Sequence, residues 1–160
     1  MSKPGLVRVD SRLLHGQVVT RWIGNVGAKE VIILDDELAK DDFMIEVFKM
    51  SAPSGVDLYV KPINEDTKSF LDNRDLSHSI ILFNSIPHLL KGLDLPIDTE
   101  DVQIGGIGGS AERKVVYKNI TLTKEEYNQL KTYVDKGFNI YLQTVPDDHK
   151  VSLDDIAGKF

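Results

Sequence analysis

The segment Arg8-Val9-Asp10-Ser11-Arg12-Leu13-Leu14-His15-Gly16-Gln17 gathers residue types that suit phosphoryl transfer. A neutral imidazole such as that of His15 is a nucleophile near neutral pH, because its reference pKa is about 6.5. Arg12 offers a planar fork of donors to phosphate oxygens. Asp10 can hold one ring nitrogen of His15 as N–H and leave the other free to attack. Gly16 lets the backbone approach closely, and a helix that begins there favours an anion at its N-terminus. The transfer itself needs mostly positioning and charge stabilisation. The same residues have plainer uses. A histidine among apolar neighbours is often a packed, hydrogen-bonded side chain, and Arg12 with Asp10 can be a surface ion pair contributing ~0–1 kcal/mol.

The surrounding pattern places this segment at the end of a strand. Leu6–Val9, Val31–Leu34, Val56–Val60, Ile80–Phe83 and Val102–Ile104 are short β-branched runs, which predicts strands covered on both faces. Helix-like stretches lie between them at Gly16–Asn25, Leu38–Met50, Glu65–Leu71 and Ile86–Leu90. This rhythm predicts an α/β fold, a three-layer α/β/α sandwich on a mostly parallel sheet of about seven strands. Ligand sites in such sheets form beyond the carboxyl ends of the strands. The C-terminal third predicts an antiparallel portion. Val115–Tyr117 and Ile120–Leu122 flank a tight turn at Lys118-Asn119, and Thr123-x-x-Glu126 is a capping box that opens a helix ending near Gly137. Phe138–Leu142 reads as a further strand, and Ser152-x-x-Asp155 as the cap of a short terminal helix.

The 160 residues suit one domain over 1–160, and no linker or repeat interrupts them. Lys and Arg number 19 against 25 Asp and Glu, a net charge of −6 that argues against a nucleic-acid partner. The absence of cysteine excludes disulfides, thiolate metal sites and thiol catalysis. No apolar signal core and no run of roughly 18 apolar residues occurs, which predicts a cytoplasmic protein that meets a membrane through partners.

The run from Val7 to Val18, followed by Thr20-Arg21-Trp22, resembles the signature of the enzyme IIB components of the mannose/fructose/sorbose family of the sugar phosphotransferase system. The likeness continues through Asp35-Asp36-Glu37, Ala39-Lys40-Asp41, Ala52-Pro53-x-Gly55-Val56, Ile104-Gly105-Gly106 and Val145-Pro146-x-Asp148. It implies that His15 is phosphorylated on Nδ1 by a phosphohistidine of a IIA component. It further implies that the phosphoryl group passes to a sugar held by membrane IIC and IID components, a protein-phosphohistidine–sugar phosphotransferase activity. Asp10 and Arg12 match the loop residues expected to orient the ring and stabilise charge, and Ser11 stands where the family often has a second Asp. Leu14, Gly16 and Gln17 complete the loop. The family fold is a three-layer α/β/α sandwich. A homodimer is compatible with it.

Other features are weaker. Gly105-Gly106-Ile107-Gly108-Gly109-Ser110 loosely fits a dinucleotide fingerprint, but Lys114–Leu122 reads as strand where a helix is required, so no cofactor is expected. The glycines instead suggest a bend that clears space beside the His15 loop, with backbone N–H groups near phosphate. Asn84 and Ser85, after the fourth strand, either line the same crevice or cap the next helix. Asp35, Asp36 and Glu37 read as a solvated turn, with no metal expected, and His78, His88 and His149 as surface residues. Trp22 is either core or a partner contact.

Two rival functions remain. A histidine phosphatase or mutase would use Arg-His-Gly, where this chain has Leu14 before His15, and would need a second catalytic histidine, for which His149 is the candidate. A non-enzymatic binding module on a flavodoxin-like sheet would carry no phosphoryl group.

Overall fold

The computed structural model describes residues 3–95 and 97–160, apart from the side chains of Gln17 and Val18. Its main sheet has seven strands: β1 (Leu6–Asp10), β2 (Glu30–Leu34), β3 (Asp57–Lys61), β4 (Ser79–Phe83), β5 (Asp101–Gly106), β8 (Asn139–Leu142) and β9 (Val151–Ser152). Their spatial order is β3-β2-β4-β1-β5-β8-β9. Every pairing is parallel except that of β8 with β9. The short strands β6 (Lys114–Tyr117) and β7 (Ile120–Leu122) form a separate antiparallel ribbon, joined just beyond the end of β5 by a bridge between Ile107 and Ile120. The predicted hairpin therefore forms, but outside the main sheet.

Side-chain parity divides the core into two layers. Leu6, Val31, Ile33, Ile80 and Leu82 meet Val19, Trp22 and Ile23 of helix α1 (Gly16–Val26). Val7, Val9, Ile32, Leu34, Ile81 and Phe83 point the other way. There they meet Leu71 of α3 (Glu65–Asp72), Ile86, Leu89 and Leu93 of α4 (Ile86–Asp94), and Leu130 of α5 (Lys124–Asp135). Each fully buried Leu, Ile or Phe contributes ~1.5–3 kcal/mol by leaving water. Both faces being covered is why these strands lack polar alternation.

The predicted helix Leu38–Met50 is divided. A 3-10 turn spans Leu38–Lys40, and α2 (Asp42–Ser51) starts afresh because the Asp41 carboxylate caps it by accepting from the Met44 N–H. The Thr123/Glu126 capping box forms as expected, with both reciprocal bonds present. Ser152 and Asp155 also bond reciprocally, but what they open is the 3-10 segment Asp154–Lys159, and Val151–Ser152 adds the edge strand β9. None of the helices is long and apolar enough to cross a membrane, among the described residues.

Candidate functional site

β1 ends at Asp10, in the middle of the sheet, and its neighbour β5 ends at Gly106. The chain turns at once: the Leu13 N–H bonds back to the Asp10 carbonyl at 2.9 Å, and Leu13 takes a left-handed φ of 57°. Leu13 and Leu14 are both buried against the α1 layer, so they anchor the loop on the N-terminal side of His15. Gly16 follows at φ +47°, a conformation glycine adopts without the steric penalty a Cβ would bring. His15 is the N-cap residue of α1 and makes no side-chain capping bond, so its ring is free to lie over the strand end.

There the ring meets Asp10. His15 Nε2 lies 3.0 Å from Asp10 Oδ2. Asp10 is buried, and its other oxygen accepts the Arg12 backbone N–H at 3.0 Å. Oδ2 also accepts from Arg8 Nη2 at 3.1 Å. With Arg8 and the Arg12 N–H already donating to it, the Asp10 carboxylate offers His15 an acceptor, and a neutral ring bonded to it carries its hydrogen on Nε2 and keeps the Nδ1 lone pair free. The Arg12 side chain is exposed and has no bonded partner among the described residues, so its guanidinium is available to an anion.

Arg8 was not a candidate from sequence. It is 1% exposed, in the central strand. Burial lowers its pKa below the usual guanidinium value, while attraction and hydrogen bonding from Asp10 work in the opposite direction. Its presence on one face with Asp10 follows from the i, i+2 parity of a strand, and a charged residue inside an otherwise apolar central strand was the signal that could have found it.

The cleft in front of His15 has a volume of about 250 Å³. Arg8, Asp10, Ser11, Arg12 and His15 line one side, and Gly106, Ile107, Gly108, Asn119 and Thr144 the other. Ser11 ties the two sides together: its N–H donates to the Gly106 carbonyl at 2.9 Å, and its hydroxyl accepts the Gly108 N–H at 3.2 Å. Gly106 and Gly108 line the cleft, whereas Gly105 does not, and Gly105 and Gly106 belong to β5 rather than to a bend. Thr144 and Asn119, from the β8 end and the ribbon turn, bond to each other at 2.8 Å. Trp22 is core rather than a partner contact, and its Nε1–H donates to the Thr144 carbonyl at 2.8 Å.

The ribbon turn is tied to the loop after β8 by Lys118 and Asp148, 2.5 Å apart. Hydrogen bonding from Lys118 holds the Asp148 carboxyl below the ordinary carboxylate range despite some desolvation, aided by backbone N–H groups of Val145 and Thr144. A carboxyl lowered in the folded state stabilises fully above its ordinary pKa and loses that contribution as pH falls through the lowered value. The melting-temperature gap between wild type and Asp148→Asn is therefore expected to be widest at neutral pH and to close in acid. A gap unchanged by acid would contradict the tether.

Residues 5–160 match the family described as the PTS system sorbose subfamily IIB component. The chain belongs to this family. IIB components act as phosphotransferases in sugar uptake and work with IIA and membrane IIC/IID partners. The N-acetylgalactosamine-specific phosphotransferase enzyme IIB component 1 of Escherichia coli K12 is 28% identical over 152 residues, covering 94% of this chain and 96% of that protein. The fructose-specific EIIB component of Bacillus subtilis 168 is 26% identical over 144 residues, 89% of this chain and 88% of that one. The crystal structure of manxB from Thermoanaerobacter tengcongensis superposes with a TM-score of 0.89 at 31% identity, covering 100% of this chain and 98% of that one. The α/β architecture is thus that of known IIB structures.

Within this IIB chain, the structure separates the residues singled out by sequence. Asp10, Ser11, Arg12, His15 and Gly106 share the cleft. Leu14 is an apolar anchor, and Gly16 shapes the helix start. The side chain of Gln17 lies outside the described residues. Asn84 and Ser85 are not part of the cleft lining. Ser85 caps α4 by accepting the His88 N–H at 3.3 Å, and Asn84 Oδ1 lies 2.6 Å from His88 Nδ1. His88 is accordingly no free surface residue: its side chain is 15% exposed, and its Nε2 lies 3.3 Å from Glu37. Ligand atoms of Asp35, Glu37 and His88 fall within 4.8 Å of one another, the set among the described residues that could hold a cation. His149 is exposed, and the described lining of the cleft contains no second histidine, which disfavours the phosphatase or mutase reading.

Proposed function

We propose that His15 is the phosphoryl-carrying residue of this IIB component. Its Nδ1 lone pair attacks the phosphorus of a IIA phosphohistidine, the P–N bond to the IIA ring breaks, and that ring leaves as neutral imidazole. In the second half-reaction a sugar hydroxyl held by IIC and IID attacks the same phosphorus and gives its proton to a base on the membrane side or to solvent, the P–N bond breaks, and His15 departs as the neutral imidazole. The observation that carries this reading is the 3.0 Å contact between His15 Nε2 and a buried, triply engaged Asp10 carboxylate, which leaves Nδ1 as the nucleophile. Arg12 and the uncapped start of α1 supply positive charge where the transferred oxygens gather.

The size of the cleft supports a carrier. About 250 Å³ accommodates a phosphoryl group but falls below the ~300–1,000 Å³ usual for small-molecule pockets. The sugar then sits on the membrane partners, and this chain works in the cytoplasm as their peripheral, transient companion. The reaction class is that of a protein-phosphohistidine–sugar phosphotransferase.

Mixing phosphorylated IIA with the chain in a single-turnover experiment tests the reading. Transfer to wild type is expected to be rapid. Arg12→Ala should slow it about 10²–10³-fold, the effect of removing one donor that acts mainly in a transition state. Its melting temperature should stay unchanged, since the Arg12 side chain is exposed and bonded to no described residue. Lost stability with normal transfer would assign Arg12 to the fold instead.

A further inference from the structure

We propose that Arg8, acting through Asp10, is a positioning residue that fixes the tautomer of His15 and so selects which ring nitrogen receives the phosphoryl group. The choice of nitrogen rests on the carrier reading of His15. The tautomer itself is a property of the unphosphorylated chain.

The seat built for Arg8 is the first argument. Its Nη1 donates to Gln103 Oε1 at 2.5 Å and to the Gln143 carbonyl at 3.1 Å, and its Nη2 to Asp10 Oδ2 at 3.1 Å. Gln103 is in turn bonded to Gln143 at 3.3 Å, so β5 and the residue that follows β8 both serve the guanidinium. The Trp22 ring centroid lies 5.7 Å away, within cation–π range. Gly105 provides the floor. A Cβ there would stand 1.9 Å from Arg8 Cζ, and the register between β1 and β5 slips at this point, so β5 bulges around the side chain.

Such a seat is costly for stability alone. Arg8 Nε is buried with no hydrogen-bond partner, and buried ion pairs are often matched or bettered by well-packed apolar residues. Something other than packing is served by keeping a cation there.

The hydrogen-bond arithmetic says what. Asp10 Oδ1 is engaged by the Arg12 N–H, and Oδ2 by both Arg8 and His15. The charged groups facing this carboxylate are Arg8 on its own strand and the His15 loop; β5 contributes only Gln103 and glycines, α1 the uncharged Trp22, and β8 brings Tyr141 near Arg8. A buried carboxylate deprived of its cation takes up a proton rather than remain charged. A proton on Oδ2 would be donated to His15 Nε2, and the ring hydrogen would then have to reside on Nδ1. Arg8 keeps Asp10 an acceptor, and the nucleophilic lone pair stays on Nδ1. In a serine-protease triad, the wrong histidine tautomer costs about 10⁴ in rate.

Nitrogen-15 NMR of the His15 ring in the unphosphorylated protein tests this directly. Wild type is expected to show the Nε2–H tautomer at neutral pH. Arg8→Met should move the ring to Nδ1–H and slow transfer from phosphorylated IIA at least about 10²-fold. Gly105→Ala, which evicts the guanidinium without removing a charge, should move the ring in the same direction. Arg8→Lys, which keeps the cation, should retain the wild-type tautomer. An Nδ1–H ring in wild type would overturn the proposal with no variant needed, as would a folded Arg8→Met protein with an unchanged ring. Failure of the wild-type chain to accept phosphoryl would instead sink the carrier reading and leave the tautomer result standing on its own.

Discussion

His15→Ala is expected to take up no phosphoryl group from IIA while remaining folded. The ring contributes no helix-capping bond and only partly fills the cleft, so the structural loss is confined to one hydrogen bond to Asp10. Hydrogen bonds to charged groups contribute about 1.5–3 kcal/mol, which sets the expected fall in stability. The catalytic loss has no such ceiling, because no other described side chain in the cleft offers an imidazole nitrogen. Denaturant unfolding alongside the transfer assay separates the two. Residual transfer at more than a trace would place the phosphoryl group elsewhere.

Asp10→Ala should damage both properties. It leaves the Arg8 guanidinium, 1% exposed, without its anion. Removing one partner of a buried ion pair typically costs about 3–5 kcal/mol. The Arg12 N–H loses its acceptor too, so the loop that carries His15 loosens. Transfer falls because the ring is no longer held at Nε2. The measurement is a paired one: the unfolding midpoint drops sharply, and transfer by the remaining folded protein is slowed. A variant as stable as wild type would show that Arg8 and Asp10 are not energetically coupled. Arg12→Ala is the contrast, since it removes charge from the same cleft without touching a buried pair.

These contrasts also explain what could be read from sequence. The strand–helix rhythm was legible because both faces of the sheet are covered, and buried parallel strands are uniformly apolar. Thr123 and Glu126 announced α5 because capping is local chemistry within one turn. His15, Asp10 and Arg12 were legible as a group because they lie within one loop. Asn119 and Thr144 were not, since they are brought to His15 by the ribbon turn and the β8 end, more than 100 residues along the chain. Asp41 was hidden inside what looked like one continuous helix, and His88 looked like surface because its partners Glu37 and Asn84 come from two different strand ends. Arg8 is the instructive case. It was visible as a charge inside Leu6–Val9, and its meaning depended on Gln103, Gly105 and Gln143, none of which is near it in sequence.

The carrier role of His15 is tested most directly by intact-mass measurement. The chain is incubated with phosphoenolpyruvate, the general phosphotransferase proteins and a cognate IIA component. Wild type is expected to gain one phosphoryl group that is lost in acid, because protonating the ring makes it a good leaving group, and His15→Ala is expected to gain none. No gain by wild type in the presence of demonstrably phosphorylated IIA, or an equal gain by His15→Ala, would contradict the account.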